Sequence, residues 1–250
     1  MLLIYLYIIV LGLVLGSFYN VVGLRVPNGE SIVKPPSHCP TCDRRLKWYE
    51  LIPVFSYIMQ RGRCRQCQTT ISTAYPLFEA LTATLFVFAF TQIGFQLELF
   101  VAWVFVSLLV IITISDWHYQ IIPDRVLIVF AVIAIALRIW LPTDPWYDSF
   151  LGAIVGFMLL LVIAMVSRGG MGGGDIKLFA VLGLFLGVEK ILVTLMVASI
   201  VGAFIGVSFM VVGRVKRGVP IPFGPFIAFG ALVAYFYGDA LITWYLSLIA

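Results

Sequence analysis

Eight apolar runs, most of them near the length of a bilayer crossing, limit what this chain can fold into more than any other feature. They are Leu2–Leu24, Pro76–Phe95, Phe100–Ser115, Val126–Leu141, Phe150–Val166, Leu178–Val188, Ile191–Val212 and Pro222–Tyr237. In lipid every backbone polar group must find its partner within the protein, so runs of this kind become helices. The composition agrees, with 62% hydrophobic residues, 11% charged residues and a mean hydropathy of +1.08. No soluble globular domain carries that balance. The expected fold is an all-α polytopic membrane protein of about eight transmembrane helices. Leu178–Val188 is the shortest run and is expected to borrow length from the glycines before it. The tail Ala240–Ala250 either extends the last helix or lies at the interface. No Lys or Arg precedes the first run, and no cleavage site interrupts Gly16–Asn20, so that run is expected to remain as an anchor.

Lys and Arg placement sets the orientation. With the N-terminus outside, the inner loops hold Arg25, Lys34, Arg44, Arg45, Lys47, Arg61, Arg63, Arg65, Arg125, Arg168, Lys177, Arg214, Lys216 and Arg217. Only Arg138 and Lys190 fall outside, so the split is fourteen to two and accounts for all sixteen. The one large loop, Arg25–Tyr75, is therefore expected to be cytoplasmic, together with the short polar stretches Asp116–Arg125 and Arg168–Lys177.

All four cysteines lie in that loop, as Cys39-Pro-Thr-Cys42 and Cys64-Arg-Gln-Cys67, twenty-one residues apart. Two such knuckles match a structural zinc site with four thiolate ligands. Pro40 and Gly62 are candidates for the tight turns. Disulfides are the rival, disfavoured by a reducing cytosol; a thioredoxin-like redox role lacks the surrounding βαβ pattern. Zinc would fold a loop too small and polar to hold a core. The eight positive charges of the loop are what topology demands, and they suit anionic headgroups rather than nucleic acid. Glu50 in the loop and Glu79 just beyond it are the remaining notable groups. Glu79 is either an interfacial residue or part of a second site.

Gly169–Leu178 reads Gly-Gly-Met-Gly-Gly-Gly-Asp-Ile-Lys-Leu. Glycine costs about 1 kcal/mol against alanine in a helix interior, so the cluster breaks a helix and admits a close backbone. Asp175 follows it at the start of an apolar run, where a carboxylate is expensive unless it has a task. Asp116 ends the third run, at a helix C-terminus whose dipole disfavours an anion. Asp124 follows a proline and precedes a helix, the position of an N-cap. His118 is read as an interfacial residue. A full return of two spans lies between Asp116 and Asp175, which brings both to one membrane face. Two carboxylates in one site share a proton and leave one acid and one base, the pair that peptide hydrolysis needs. The alternative is two isolated interface carboxylates.

Gly172-Gly173-Gly174-Asp175 fits the Gly-x-Gly-Asp signature of intramembrane aspartic proteases. More closely, the chain resembles bacterial type IV prepilin peptidases, the leader peptidase/N-methyltransferases. The resemblance runs through Leu15–Val22, the double Cys-x-x-Cys loop, Glu50–Pro53, Tyr75–Glu79, Asp116 to Asp124 and Ile221–Pro225. The loop and compact length look most like members that serve competence pseudopili in Gram-positive bacteria.

The resemblance implies an enzyme of the bacterial cytoplasmic membrane. It would cleave the basic leader of prepilins or pseudopilins after a glycine, at the cytoplasmic face. It would then methylate the new N-terminal residue, usually Phe, with S-adenosylmethionine. Asp116 and Asp175 become the catalytic aspartates, with Gly172, Gly173, Gly174 and Lys177 lining the approach. The implied domains are 1–24 as the first span, 25–75 as the tetracysteine loop tied to methylation, and 76–250 as the peptidase. Lys177 and the basic loops stand against a leader that is itself basic. Rival readings are a proton-coupled transporter using Asp116 and Asp175, or an assembly factor docking through the zinc loop. Cysteines introduced at Thr143 and Ser149 on a cysteine-free background should label from outside intact cells, while Ser31–Ser37 stays protected. Outside labelling of Ser31–Ser37 would reverse the orientation.

Overall fold

The structure is a computed structural model that describes residues 1–167, 171–212 and 222–249. Arg168, Gly169, Gly170, Arg214, Lys216, Arg217 and Ile221, all used in the sequence argument, lie outside the described residues. The described chain is helical, with no strand: α1 (Leu2–Arg25), a 3-10 turn (Trp48–Leu51), α2 (Phe55–Met59), α3 (Ala74–Ile93), α4 (Glu98–Tyr119), α5 (Asp124–Trp140), α6 (Asp148–Val166), α7 (Gly173–Val211) and α8 (Gly224–Ile249). Six of these are long and apolar enough to cross a membrane by length and composition. α5, with 17 residues, is at the short limit for a crossing. The tail after Ala240 continues α8 as helix. The chain divides into two compact units, Met1–Ile114 and Ser115–Ala250, with the boundary inside α4.

In the first unit α1 packs through glycine. A Cβ on Gly16 would lie 2.8 Å from the Glu79 Cα of α3, and one on Gly23 would lie 2.7 Å from Ile114 Cγ2 of α4. Without a hydrophobic drive between helices in lipid, such close approach is what gains contact. Polar groups inside the packing are paired. The Tyr19 and Ser107 hydroxyls bond at 2.5 Å, and Asn20 Nδ2 donates to the carbonyls of Gly16 and Tyr75, both at 3.2 Å.

The second unit depends on a break at Gly187. α7 has 39 residues, about 58 Å if straight, far beyond one crossing. Gly187 has φ 75° and ψ −175°, so two helices meet there. The sequence places this break at Glu189-Lys190; it falls two residues earlier, where only glycine takes the backbone angle without strain. A Cβ on Gly187 would also run into the Asp148 carboxylate. The Oδ1 of Asp148 accepts the Val188 N–H at 3.2 Å and so caps the second half of α7. Arg138 donates to the Phe185 carbonyl at 2.7 Å, on the other side of the break.

The glycine contacts show that the two halves fold back on each other. Gly156 of α6 faces both Phe179 and Ile191, one on each side of Gly187. α8 then runs back along the second half, with Gly202 against Phe223 and Phe226, Gly230 against Thr194 and Ala198, and Gly238 against Lys190. The break, Asp148 and the Lys190–Asp239 ion pair thus share one end of this unit. The glycine-rich start of α7 and the start of α8 share the other. Ser149 is buried beside Thr143, 3.2 Å away, so Asp144, which is exposed, replaces it as the outside labelling position.

Gly187→Ala should lower the detergent-solubilised unfolding temperature by an amount equivalent to about 1–3 kcal/mol. Asp148→Asn should cost less, because an amide oxygen still caps. An unchanged melting temperature in Gly187→Ala would show that the break is not specified by this residue.

Candidate active site and metal centre

Two helix N-termini converge on the aspartates of the second unit. α7 starts at Gly173, as expected of a span that borrows from the glycines, so Asp175 is its third residue. From there its carboxylate reaches back to the backbone N–H of Gly172, the N-cap. Asp116 lies near the C-terminal end of α4 and is buried. The unfavourable dipole of its own helix is offset from outside. Gly224, the first residue of α8, donates its N–H to Asp116 Oδ2 at 2.7 Å. A charge-assisted bond of this kind is worth about 1.5–3 kcal/mol, and a helix N-terminus adds to it. Gly174, next to Asp175, packs on Ile122 of the α4–α5 connection that follows Asp116, so both aspartates lie at the same end of this unit.

The neighbouring residues hold this geometry. Gln120, at φ 54°, ends α4, and its N–H bonds to the Asp116 carbonyl at 2.9 Å. Ser115 Oγ donates to the Ile121 carbonyl at 2.5 Å, folding the α4–α5 connection back on α4. Gly174 then packs on that connection, where a Cβ would lie 2.9 Å from the Cβ of Ile122. The space at Gly174 is filled by the protein itself. Gly173 has open space, and a Cβ on Gly172 would lie 3.3 Å from the Asp175 carboxylate.

Asp124 is a correction to the sequence reading. α5 begins at Asp124 with Pro123 as its N-cap, so Asp124 is one position inside the helix. Its two oxygens accept from Lys177 Nζ at 2.9 and 2.7 Å. A proline cannot offer a side-chain cap, and the carboxylate answers a lysine 53 residues away instead. Lys177 is thereby paired with a carboxylate across the α5–α7 contact. Sequence reasoning also missed Gly224. The segment Ile221–Pro225 was noted, but nothing in it marks a backbone N–H as the partner of Asp116.

In the first unit the two cysteine pairs form matching knuckles. Cys39 N–H bonds to the Arg44 carbonyl at 3.0 Å and Asp43 N–H to the Cys39 carbonyl at 2.9 Å. Cys64, Gln68 and Thr69 repeat the pattern at 2.9 and 3.0 Å. The left-handed turn residues are Asp43 and Gln68, at φ 51° and 59°, rather than Pro40. Gly62, at φ 67°, turns the chain into the second knuckle. The four sulfurs lie within 4.8 Å of one another and form no disulfide. Cys39–Cys67 and Cys42–Cys64 are 3.6 and 4.0 Å apart. Four thiolates about 2.3 Å from a tetrahedral ion would be about 3.8 Å apart, so the cluster fits one metal ion.

The thiols are unevenly poised. Backbone N–H groups of Cys67 and Gln66 hold Cys64 down at about 6. At Cys42 the Arg44 N–H lowers the thiol, but burial and the other three sulfurs outweigh it and leave the group at about 11. A bound cation would relieve that crowding.

Glu50 ties the knuckles together. Its buried side chain accepts from Arg44 at 2.7 Å, beside the first knuckle, and faces Arg65, inside the second, at 3.8 Å. It also accepts the Lys47 N–H at 2.9 Å. The Arg44 guanidinium holds this carboxyl below the usual carboxylate range. Glu79 has a different task. It is buried in α3 and accepts the Val54 N–H at 2.7 Å, fixing a β-branched residue at φ 59°.

Residues 10–93 match the family model described as the bacterial peptidase A24 N-terminal domain, and residues 103–207 match the type IV leader peptidase family. A Bacillus subtilis protein named prepilin leader peptidase/N-methyltransferase is 45% identical over 239 residues, 96% of each chain. Proteins of the same name from Xanthomonas campestris and Aeromonas hydrophila are 34% and 32% identical, covering 94% of this chain and 92% and 91% of theirs. No solved structure matches. This chain belongs to the type IV leader peptidase family.

Elemental analysis of the purified protein should find about one divalent metal ion per chain, lost in the Cys39→Ser, Cys64→Ser double variant. Glu50→Gln should keep the ligands but release the ion to a chelator several-fold faster. A metal-free protein with two disulfides after anaerobic purification would overturn the assignment.

Proposed function

We propose that this protein cleaves the basic leader of type IV prepilins or pseudopilins after a glycine, and then N-methylates the freed residue, usually Phe. The peptidase half is supported by the convergence of Asp116, bonded to the first residue of α8, and Asp175, in the first turn of α7, at one end of the second unit. One carboxylate takes a proton from water as the oxygen adds to the scissile carbonyl carbon. The other gives its proton to the departing nitrogen as the carbon–nitrogen bond breaks. The products are a leader carboxylic acid, which passes its proton to solvent, and a free α-amine, and the pair is left with one proton between them. Oδ2 of Asp116 is held by Gly224, which leaves Oδ1 for this exchange.

The reading places the N-terminus outside and the pair at the cytoplasmic face. Support comes from the charge split and from the common end of the second unit shared by the starts of α7 and α8. A prepilin carries an apolar helix behind a cytoplasmic leader, so its scissile bond meets the pair where it leaves the bilayer. Zinc is the metal assigned to Cys39, Cys42, Cys64 and Cys67, in a structural role. The loop 25–75 is assigned to the methylation half and 76–250 to the peptidase. S-adenosylmethionine, when bound, supplies the methyl group to the freed amine; no residue is assigned to its site.

Mass spectrometry of a co-expressed prepilin reads leader loss and methyl gain together. Asp116→Asn and Asp175→Asn should each abolish cleavage, and the double variant should be no worse than either, because members of one catalytic unit are not additive. Gly224→Ala places a Cβ 2.8 Å from the Asp116 carboxylate and should lower cleavage by about ten-fold or more. Asp124→Asn should keep much activity. Substantial cleavage by Asp175→Asn would remove the aspartic reading, and leader loss without methyl gain would remove the transferase half.

A further inference from the structure

The tetracysteine loop carries an apolar ridge that its small core does not use. Trp48 is 79% exposed, Phe55 57%, Ile58 66% and Met59 61%. Leu51 and Ile52, between them, are exposed as well. These residues occupy the 3-10 turn and α2, twelve consecutive positions of chain. Large apolar side chains grouped in this way mark an interaction surface.

The ridge is fixed against a membrane-spanning helix. Val54, the N-cap of α2, donates its N–H to Glu79, and Glu79 is five residues beyond the first residue of α3. That places the start of α2 about 7.5 Å along α3 from its start, within the first turns of an apolar helix. Cations flank the ridge on both sides. Lys47 precedes Trp48, and Arg61 and Arg63 follow Met59 with exposed side chains. Lys47 also lies over the Tyr49 ring at 5.9 Å. An exposed apolar surface with Trp at its edge and basic residues at its margins is the pattern of a segment lying in the headgroup region of an anionic membrane. Each basic residue near such a surface adds to the attraction.

We propose that the Trp48–Met59 ridge inserts into the anionic phospholipid leaflet beside α3 and seats the metal loop on the membrane. The carboxylate of Glu79 sets the depth by holding Val54. Glu50 links the ridge to both knuckles through Arg44 and Arg65, so membrane contact and metal site form one rigid piece.

The test uses the full-length protein in nanodiscs with p-benzoyl-phenylalanine introduced at Phe55, Ile58 or Met59. Glu30 and Gln66, exposed polar positions of the same loop, serve as controls. After irradiation, intact-mass analysis should show phospholipid adducts several-fold more abundant at the ridge than at the controls. The yield should rise when phosphatidylglycerol replaces part of the phosphatidylcholine. In the wild type, hydrogen exchange over Ile52–Met59 should be slower in the anionic discs. Ridge adducts no more frequent than control adducts would overturn the proposal, as would exchange indifferent to lipid charge. Cross-links to a second copy, or transfer of the adducts to an added prepilin, would assign the ridge to those partners instead.

Discussion

The hydrogen bond from the Gly224 N–H to Asp116 is the interaction on which the chemistry proposed for the second unit rests. A carboxylate near the C-terminal end of an apolar helix faces burial and the negative end of its own dipole at once. α8 reverses the second of these by presenting its N-terminus. That requires a backbone N–H within 2.7 Å of the carboxylate, and so a residue without a side chain at that point. Asp175 meets the same demand locally, from within its own first helical turn. Each carboxylate is therefore stabilised by a different helix end, and both helix ends must reach one place.

Gly187 is what allows them to do so. An unbroken α7 would carry its C-terminal half away from the starting face. The fold-back brings the chain home, and α8 then begins where α7 begins. Asp148 and Arg138 hold the groups exposed at the break, one capping Val188 and the other binding the Phe185 carbonyl. A charged residue buried among apolar helices is expensive, and Arg138 recovers part of that by donating to the Phe185 carbonyl.

The apolar runs, the glycine-rich start of α7 and the two cysteine knuckles were legible because each is a local signal. Run length, helix-breaking glycine and ligand spacing depend on residues close in sequence. What escaped depends on distance along the chain. The Asp116–Gly224 bond spans 108 residues, and the Lys177–Asp124 pair spans 53. Periodicity carries no trace of either. The N-cap assigned to Asp124 failed for the same reason, since a lysine on another helix competes for that carboxylate. Glu79 stayed ambiguous because its partners, the Val54 N–H and the Ser17 side chain, both lie far from it in sequence.

The buried and paired acidic residues differ in what holds them. Glu50 is held by Arg44 and Arg65 and by the Lys47 N–H. Its proton affinity is committed to the fold. Glu79 is committed to Val54, and Asp148 to Val188. Asp124 is neutralised by Lys177. Asp116 and Asp175 differ in that their hydrogen-bond donors are neutral backbone N–H groups, of Gly224 and Gly172, rather than cations. A cation would lock both in the ionised form. Dipoles stabilise negative charge without fixing which carboxylate holds a proton, which is what the proposed acid–base pair requires in order to exchange one in every cycle.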